Sequence, residues 1–168
     1  MKVYFGAGIQ GSPSQEARAE RAALYGELIA YVKELGHEVL FEHTATNDKE
    51  EVWKVLERQF GPLPPAGPER GAFIRNRNIE AIEKMADAAI FEVSMPSLGV
   101  GIELSHAYLR SKMGLKQIPV LCLYQKDFWS HGLSVMVSGV PKEACVSIKE
   151  YSSLREAQEL IKTHLAGQ

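Results

Sequence analysis

Short apolar runs alternate along this chain with longer segments of helical period, the pattern of a parallel sheet crossed by helices. The first run is residues 2–5, closed by the glycine-rich stretch GAGIQGSPS. A helix is predicted from about Ser14 to Leu35. There Ala17, Leu24, Leu28, Ile29, Val32 and Leu35 recur at three- and four-residue steps, and Gly36 supplies the stop. The second strand spans residues 38–41 and runs out into His43. Residues 47–70 break the rhythm. Residues 49–59 can form a short helix, and GPLPPAGPERG then carries four prolines and three glycines in eleven residues. Proline fixes φ and removes a donor, so this stretch reads as a loop inserted near a site or on the surface. A helix over 73–85 precedes the third strand, 88–93, which is apolar throughout except for Glu92. The next helix opens within SMPSLGVGIE and continues to about Lys112. A fourth strand at 118–124, a short helix at 132–137, a fifth strand at about 144–148 and a terminal helix at 153–164 complete the chain. Five strands with intervening helices predict one α/β domain over residues 1–168, with the proline-rich insertion at about 61–70. The expected architecture is a flavodoxin-like or Rossmann-like three-layer sandwich on a five-stranded parallel sheet.

Composition excludes several classes. Of 168 residues, 45% are apolar and 24% charged, which is neither a disordered tail nor a coiled coil. The formal net charge is −2 with no block of like charge, so no broad nucleic-acid surface is advertised. No segment reaches the ~18 apolar residues of a membrane span, and a cytoplasmic protein is expected. Cys122 and Cys145 each lie in an apolar run rather than a short-spaced pair, which predicts buried free thiols in a reducing compartment.

In open α/β sheets, ligands bind outside the carboxyl ends of the strands, and two loops there have unusual composition. The first is Gly6-Ala7-Gly8-Ile9-Gln10-Gly11-Ser12. Glycines directly after a strand let backbone N–H groups approach a phosphate, a carboxylate or a sugar. The spacing is GxGxxG, but no acidic residue follows at about 20 positions, as a dinucleotide site requires, and no Walker lysine is present. A tight strand-to-helix turn without a ligand is the other reading. The second loop is Ser94-Met95-Pro96-Ser97-Leu98-Gly99-Val100-Gly101-Ile102-Glu103. Glu103 falls in the first turns of the following helix, where a carboxylate either complements the helix dipole or serves as nucleophile or base beside an anion-binding loop.

The run FEVSMPSLGVGIELSHA at 91–107 resembles the signature of the nucleoside 2-deoxyribosyltransferase superfamily, and within it the 2'-deoxynucleoside 5'-monophosphate N-glycosidases (deoxynucleotide N-hydrolases). VYFGAGIQG, VLFEHTA and GLSVMVSG resemble that family's first strand and loop, second strand and a later helix. The resemblance implies that Glu103 is the glutamate that attacks C1' of deoxyribose, with Tyr4 orienting its carboxylate. It implies substrate contacts from the first loop, Gly8, Ile9, Gln10 and Gly11, and from Gly99. Ser97 stands where a serine binds the 5'-phosphate. Ser134 and Met136 stand where residues reach the neighbour's site in a homodimer. No cofactor, metal, membrane or polymeric nucleic acid is implied.

Three departures from the family pattern stand out. An aspartate is expected on the helix before the third strand, in a pattern like RDLEWLEEAD. Here the stretch Arg77-Asn78-Ile79-Glu80-Ala81-Ile82-Glu83-Lys84-Met85-Ala86-Asp87 is one residue longer. Asn78 takes that position if the extra residue lies within the helix; without a gap the position is Ile79. An asparagine holds a hydroxyl or a base edge but gives up no proton. A GSIRG-like loop is also expected, and its serine and arginine are here Gly8 and Gln10, which removes a bidentate phosphate contact. Backbone amides, Ser12, Arg75 or Arg77 are candidates to replace it, and arginines so placed are more often plain surface charges. The third departure is the proline-rich insertion, which can reshape the base pocket.

The five histidines show no metal-ligand spacing. His43, at a strand end, is the one near the proposed cleft, and His106 reads as packed or exposed. Trp53 and Trp129 read as core or interface anchors, Trp129 in a loop able to cap the base. The expected activity is hydrolysis of the N-glycosidic bond of 2'-deoxynucleoside 5'-monophosphates through a covalent glycosyl-Glu103. The alternatives are base exchange between deoxynucleosides, or a catalytically weak nucleotide-binding protein.

Overall fold

The computed structural model describes residues 1–8, 14–128, 132–140 and 145–167, with Lys49 described by its backbone alone. In chain order the elements are β1 (Lys2–Ala7), α1 (Gln15–Glu34), β2 (Glu38–Val39), α2 (Lys49–Phe60), α3 (Pro68–Glu80), β3 (Ala88–Glu92), α4 (Leu98–Tyr108), β4 (Val120–Gln125), α5 (Val135–Ser138), β5 (Val146–Tyr151) and α6 (Leu154–Ala166). The five strands run parallel in the order β2-β1-β3-β4-β5. That is the flavodoxin-like order, whose direction reverses between β1 and β3, where such folds place their ligands.

The central strands read as unbroken apolar runs because helices cover both faces. Tyr4, Ala89, Phe91, Val120, Cys122 and Tyr124 pack one way, against Ile79 and Ile82 from the α3 side and Leu104 and Ala107 of α4. Val3, Phe5, Ala88, Ile90, Leu121 and Leu123 pack the other way, against Tyr25, Leu28 and Val32 of α1 and Ile161 of α6. Among the described residues no helix is long and apolar enough to cross a membrane.

Several boundaries differ from expectation, each for a local reason. α3 begins at Pro68, five residues earlier than predicted, because the first helical position needs no N–H donor. The proline-rich loop is correspondingly shorter. β2 keeps two residues of the predicted four. Leu40 N–H still reaches Val3 O, but Leu40 O is claimed by the Gln59 side-chain amide at 3.1 Å instead of a ladder partner. α4 ends at Tyr108 and tightens into a 3₁₀ turn, Arg110–Met113, as Arg110 turns inward to the carbonyls of Ile82 and Lys116. β5 runs Val146–Tyr151, later than expected, and Ala144 lies outside the described residues. Cys122 is buried as expected, but Cys145 is exposed at φ +57°, in the turn that leads into the edge strand.

α3 continues into a π-helical turn, Ala81–Met85, closed by Ala86 N–H to Ala81 O. A π turn is one residue wider than an α turn, so it absorbs an extra residue without changing the register on either side. It therefore decides where the residues of α3 point.

Candidate active site

β1 and α4 together hold Glu103. Gly6 pairs with Phe91 across the β1–β3 ladder, and α4 crosses above that point. A Cβ on Gly6 would stand 2.5 Å from the Phe91 ring and 3.1 Å from Glu103 Oε2, so only glycine lets the carboxylate lie over the strand. Tyr4, two residues earlier on the same face, hydrogen-bonds that carboxylate with its hydroxyl. From α3, Asn78 Nδ2 donates to Glu103 Oε1 at 3.1 Å. With the extra residue taken up by the π turn, it is Asn78 and not Ile79 that meets Glu103; Ile79 packs into the core.

Burial pushes the Glu103 carboxyl up to about 6, and the hydrogen bonds from Asn78 and Tyr4 pull against that rise. Burial, and then the neighbouring carboxylate, raise the Tyr4 phenol well above its ordinary value, so it remains a protonated donor at neutral pH. Asn78 is itself buried, and its Oδ1 has no hydrogen-bond partner among the described residues. The buried carboxylate is held by two donors, and the Asn78 oxygen beside it leaves one polar position open in the site.

The two loops meet beside it. A Cβ on Gly8 would lie 3.3 Å from both Ser97 Cβ and Met95 Cε. Ser97 is the N-cap of α4, its Oγ accepting from Val100 N–H at 3.3 Å, which leaves the hydroxyl proton free to donate. Gly99 lies in the first turn, where a Cβ would come no closer than 3.8 Å to Ser97 Oγ. Ile9, Gln10, Gly11 and Ser12 lie outside the described residues.

No family model matches the chain. Curated relatives do. The chain is 32% identical over 167 residues to a protein of Thermofilum pendens named a 2'-deoxynucleoside 5'-phosphate N-hydrolase, covering 99% of this chain and 96% of that one. A protein of the same name from Syntrophotalea carbinolica is 31% identical over 99% of this chain and 95% of its own length. The 5-hydroxymethyl-dUMP N-hydrolase of Mus musculus is 30% identical, over 97% of this chain and 76% of its own. The chain belongs to the 2'-deoxynucleoside 5'-phosphate N-hydrolase family.

This N-hydrolase family member carries a second feature on the other side of α4. An apolar groove of about 770 Å³ is lined by Ser97, Ile102, His106, Tyr108, Ser134 and Met136, among others, and not by Glu103. Ser134 caps α5 through Met136 N–H at 3.3 Å, and the Met136 side chain is 82% exposed. Within one chain the structure does not bring Ser134 or Met136 to the Glu103 carboxylate.

The remaining candidates separate cleanly. Glu80 lies on the surface between Arg77 and Lys84, at 3.1 and 3.4 Å. Arg77 also stacks on Phe73, and Arg75 bonds Asn76, so neither reaches the loops. His106 Nδ1 lies 2.7 Å from Glu83 of the π turn. His43 packs against the Phe41 ring and burial holds it down to about 4, so it is neutral. Trp53 is half exposed with Arg70 stacked on it, and Trp129 lies outside the described residues.

Sequence reasoning passed over a buried polar cluster behind the two loops. Glu92, the last residue of β3, is 0% exposed and paired with Arg21 of α1. Tyr151 OH donates to it at 2.9 Å, and Ser94 and Tyr25 bond it as well. The signal was present: Glu92 is the one charge in an apolar strand, and Arg21 and Tyr25 are an i,i+4 pair on the inner face of α1.

Proposed function

We propose that this protein hydrolyses the N-glycosidic bond of 2'-deoxynucleoside 5'-monophosphates, with Glu103 as the nucleophile. The observation that carries the reading is the recessed Glu103 carboxylate, held between Asn78 and Tyr4 at the β1–β3 switch point. Departure of the base leaves oxocarbenium character at C1', and a 2-deoxy sugar reaches it readily because no 2'-hydroxyl withdraws electrons. Glu103 Oε bonds to C1' as the C1'–N bond breaks; the base keeps that electron pair and takes up a proton. Water then attacks C1', the ester to Glu103 breaks, and the water's second proton leaves for solvent. Asn78 carries no proton to transfer, so its part is to hold Glu103 and offer Oδ1 to a substrate hydroxyl or base edge. Gly8, Ile9, Gln10, Gly11, Ser97 and Gly99 receive the 5'-phosphate end. There, N–H groups of the first turn of α4 and the free Ser97 proton supply donors that a chain of net charge −2 does not supply as a positive field.

The full chain works in this reading as a single-domain cytoplasmic homodimer. The groove beside α4 receives the partner, and Ser134 and Met136 reach the partner's site. The exposed Leu98, Ile102, Val135 and Met136 support it. Base exchange is the second reading, favoured by Gly8 and Gln10 standing where the hydrolases keep a phosphate-binding serine and arginine. A panel of deoxy- and ribonucleosides with and without 5'-phosphate, assayed for free base, tests both. Release from deoxynucleoside monophosphates is expected, falling at least about a thousandfold in kcat in Glu103→Ala. Release that survives that substitution removes the mechanism, and a new nucleoside formed from an added second base identifies exchange.

A further inference from the structure

Four donors converge on the Glu92 carboxylate, more than burial of one ion pair requires, and they come from three different parts of the chain. Arg21 and Tyr25 come from α1, Ser94 from the second loop and Tyr151 from β5. Two of these donors are also bonded to the loops at the strand ends. Tyr25 OH shares its single proton between Gly8 O at 3.2 Å and Glu92 Oε2 at 3.4 Å, while Arg21 Nε donates to the Tyr25 oxygen at 3.2 Å. Ser94 Oγ accepts from Gln125 N–H at 2.7 Å, and Arg21 reaches the Gln125 side-chain carbonyl at 2.6 Å. A Cβ on Gly8 would lie 3.3 Å from Ser97 Cβ and from Met95 Cε, so the two loops approach closely at this glycine. The buried carboxylate is therefore a common anchor for both loops: through Tyr25 it holds Gly8, and through Ser94 it holds the segment that leads to Ser97.

We infer that Glu92, acting through Tyr25 and Ser94, is a positioning group that fixes Gly8 and Ser97 against each other and so sets affinity for the 5'-phosphate end of the substrate. The inference rests on the hydrolase reading above. Its physical basis is rigidity. A densely hydrogen-bonded buried network restricts its members to few geometries, and a donor site for phosphate loses affinity when its two walls drift independently. Arg21 is neutralised within the network, so its part is to keep Glu92 ionised and oriented rather than to touch phosphate. Glu103 hangs from α4, Tyr4 and Asn78, outside the network, so the chemical step is separable from it.

Three single-group deletions on the full chain test this: Tyr25→Phe, Ser94→Ala and Tyr151→Phe. Each removes one donor to Glu92, but only the first two cut a link to a loop. With a 2'-deoxynucleoside 5'-monophosphate, Tyr25→Phe and Ser94→Ala are expected to raise KM about three- to tenfold with kcat unchanged. Tyr151→Phe is expected to lower the melting temperature while leaving KM as in the parent. A KM that stays constant in Tyr25→Phe, or a rise that follows melting temperature across all three variants, overturns the inference. If the parent chain binds the nucleotide by calorimetry but releases no base, the hydrolase reading fails. The same comparison is then read in Kd, with the same expected and overturning results. A parent chain that binds no nucleotide overturns both.

Discussion

In the proposed mechanism Glu103 must be ionised to attack carbon, yet its place over β1 favours the neutral acid. With burial raising it to about 6 against the two hydrogen bonds, the carboxylate predominates at neutral pH but desolvated enough to react. Activity is therefore expected to rise with pH through about 6 and then level, read as the acid limb of kcat/KM. Tyr4→Phe removes one donor to the charged form, so that limb should move up by about half to one pH unit. A limb that stays put would mean Tyr4 does not tune the carboxylate. The same group carries a stability cost whose sign follows from linkage. Its folded pKa lies above the unfolded one, so Glu103 destabilises the fold progressively as pH rises from about 4.5 to about 6, and at a constant level above that. Glu103→Gln is expected to be more stable than the parent by about 1–2 kcal/mol at pH 8, with the difference fading toward pH 4, measured by denaturant unfolding. At this scale PSLGVGIE singles out Glu103 as the candidate nucleophile, whereas the choice between Asn78 and Ile79 as its neighbour stays open in the sequence. Asn78 and Glu103 are 25 residues apart, and the position that meets Glu103 depends on how one extra residue is accommodated.

Elements carry the rest of the site. Strand and helix identities followed from apolar period, because helices on both faces demand unbroken apolar strands between them. The π turn at Ala81–Met85 did not follow, since no residue type signals that an extra residue will widen a turn rather than extend a loop. The inner face of α1 was misread in a similar way. An aliphatic stripe was expected, and Arg21 and Tyr25 are buried in it because Glu92 waits at the end of β3. Arg21→Met leaves that carboxylate buried with its cation gone, and a loss of about 3–5 kcal/mol is expected in chemical denaturation. A loss below about 1 kcal/mol, the range of an exposed pair, would show that Glu92 is not held by Arg21.

At the scale of the molecule, an apolar groove lies beside α4 and α5 among the described residues. Leu98 at 91% exposure and Ile102 one turn later stand on a helix whose opposite face is core. Such a patch supports the proposed dimer face. The protein is expected to sediment at twice its 18.6 kDa mass. Ile102→Asp, which puts a charge into the patch, should shift it to monomer and lower activity at dilute enzyme concentration. A chain that stays monomeric at all concentrations would remove the shared-site reading. Sequence alone determined the α/β class, the five parallel strands and the glutamate at the start of the fourth long helix, because period and loop chemistry are local properties. Only the tertiary structure decided which residues meet: Asn78 and Tyr4 at Glu103, Glu92 with its donors, and the loop of Gly8 beside Ser97. Those meetings depend on register, crossing and one widened turn, which are set by packing between segments far apart in the chain. With a net charge of −2, it is this packing that must orient the few donors on which a phosphate would depend.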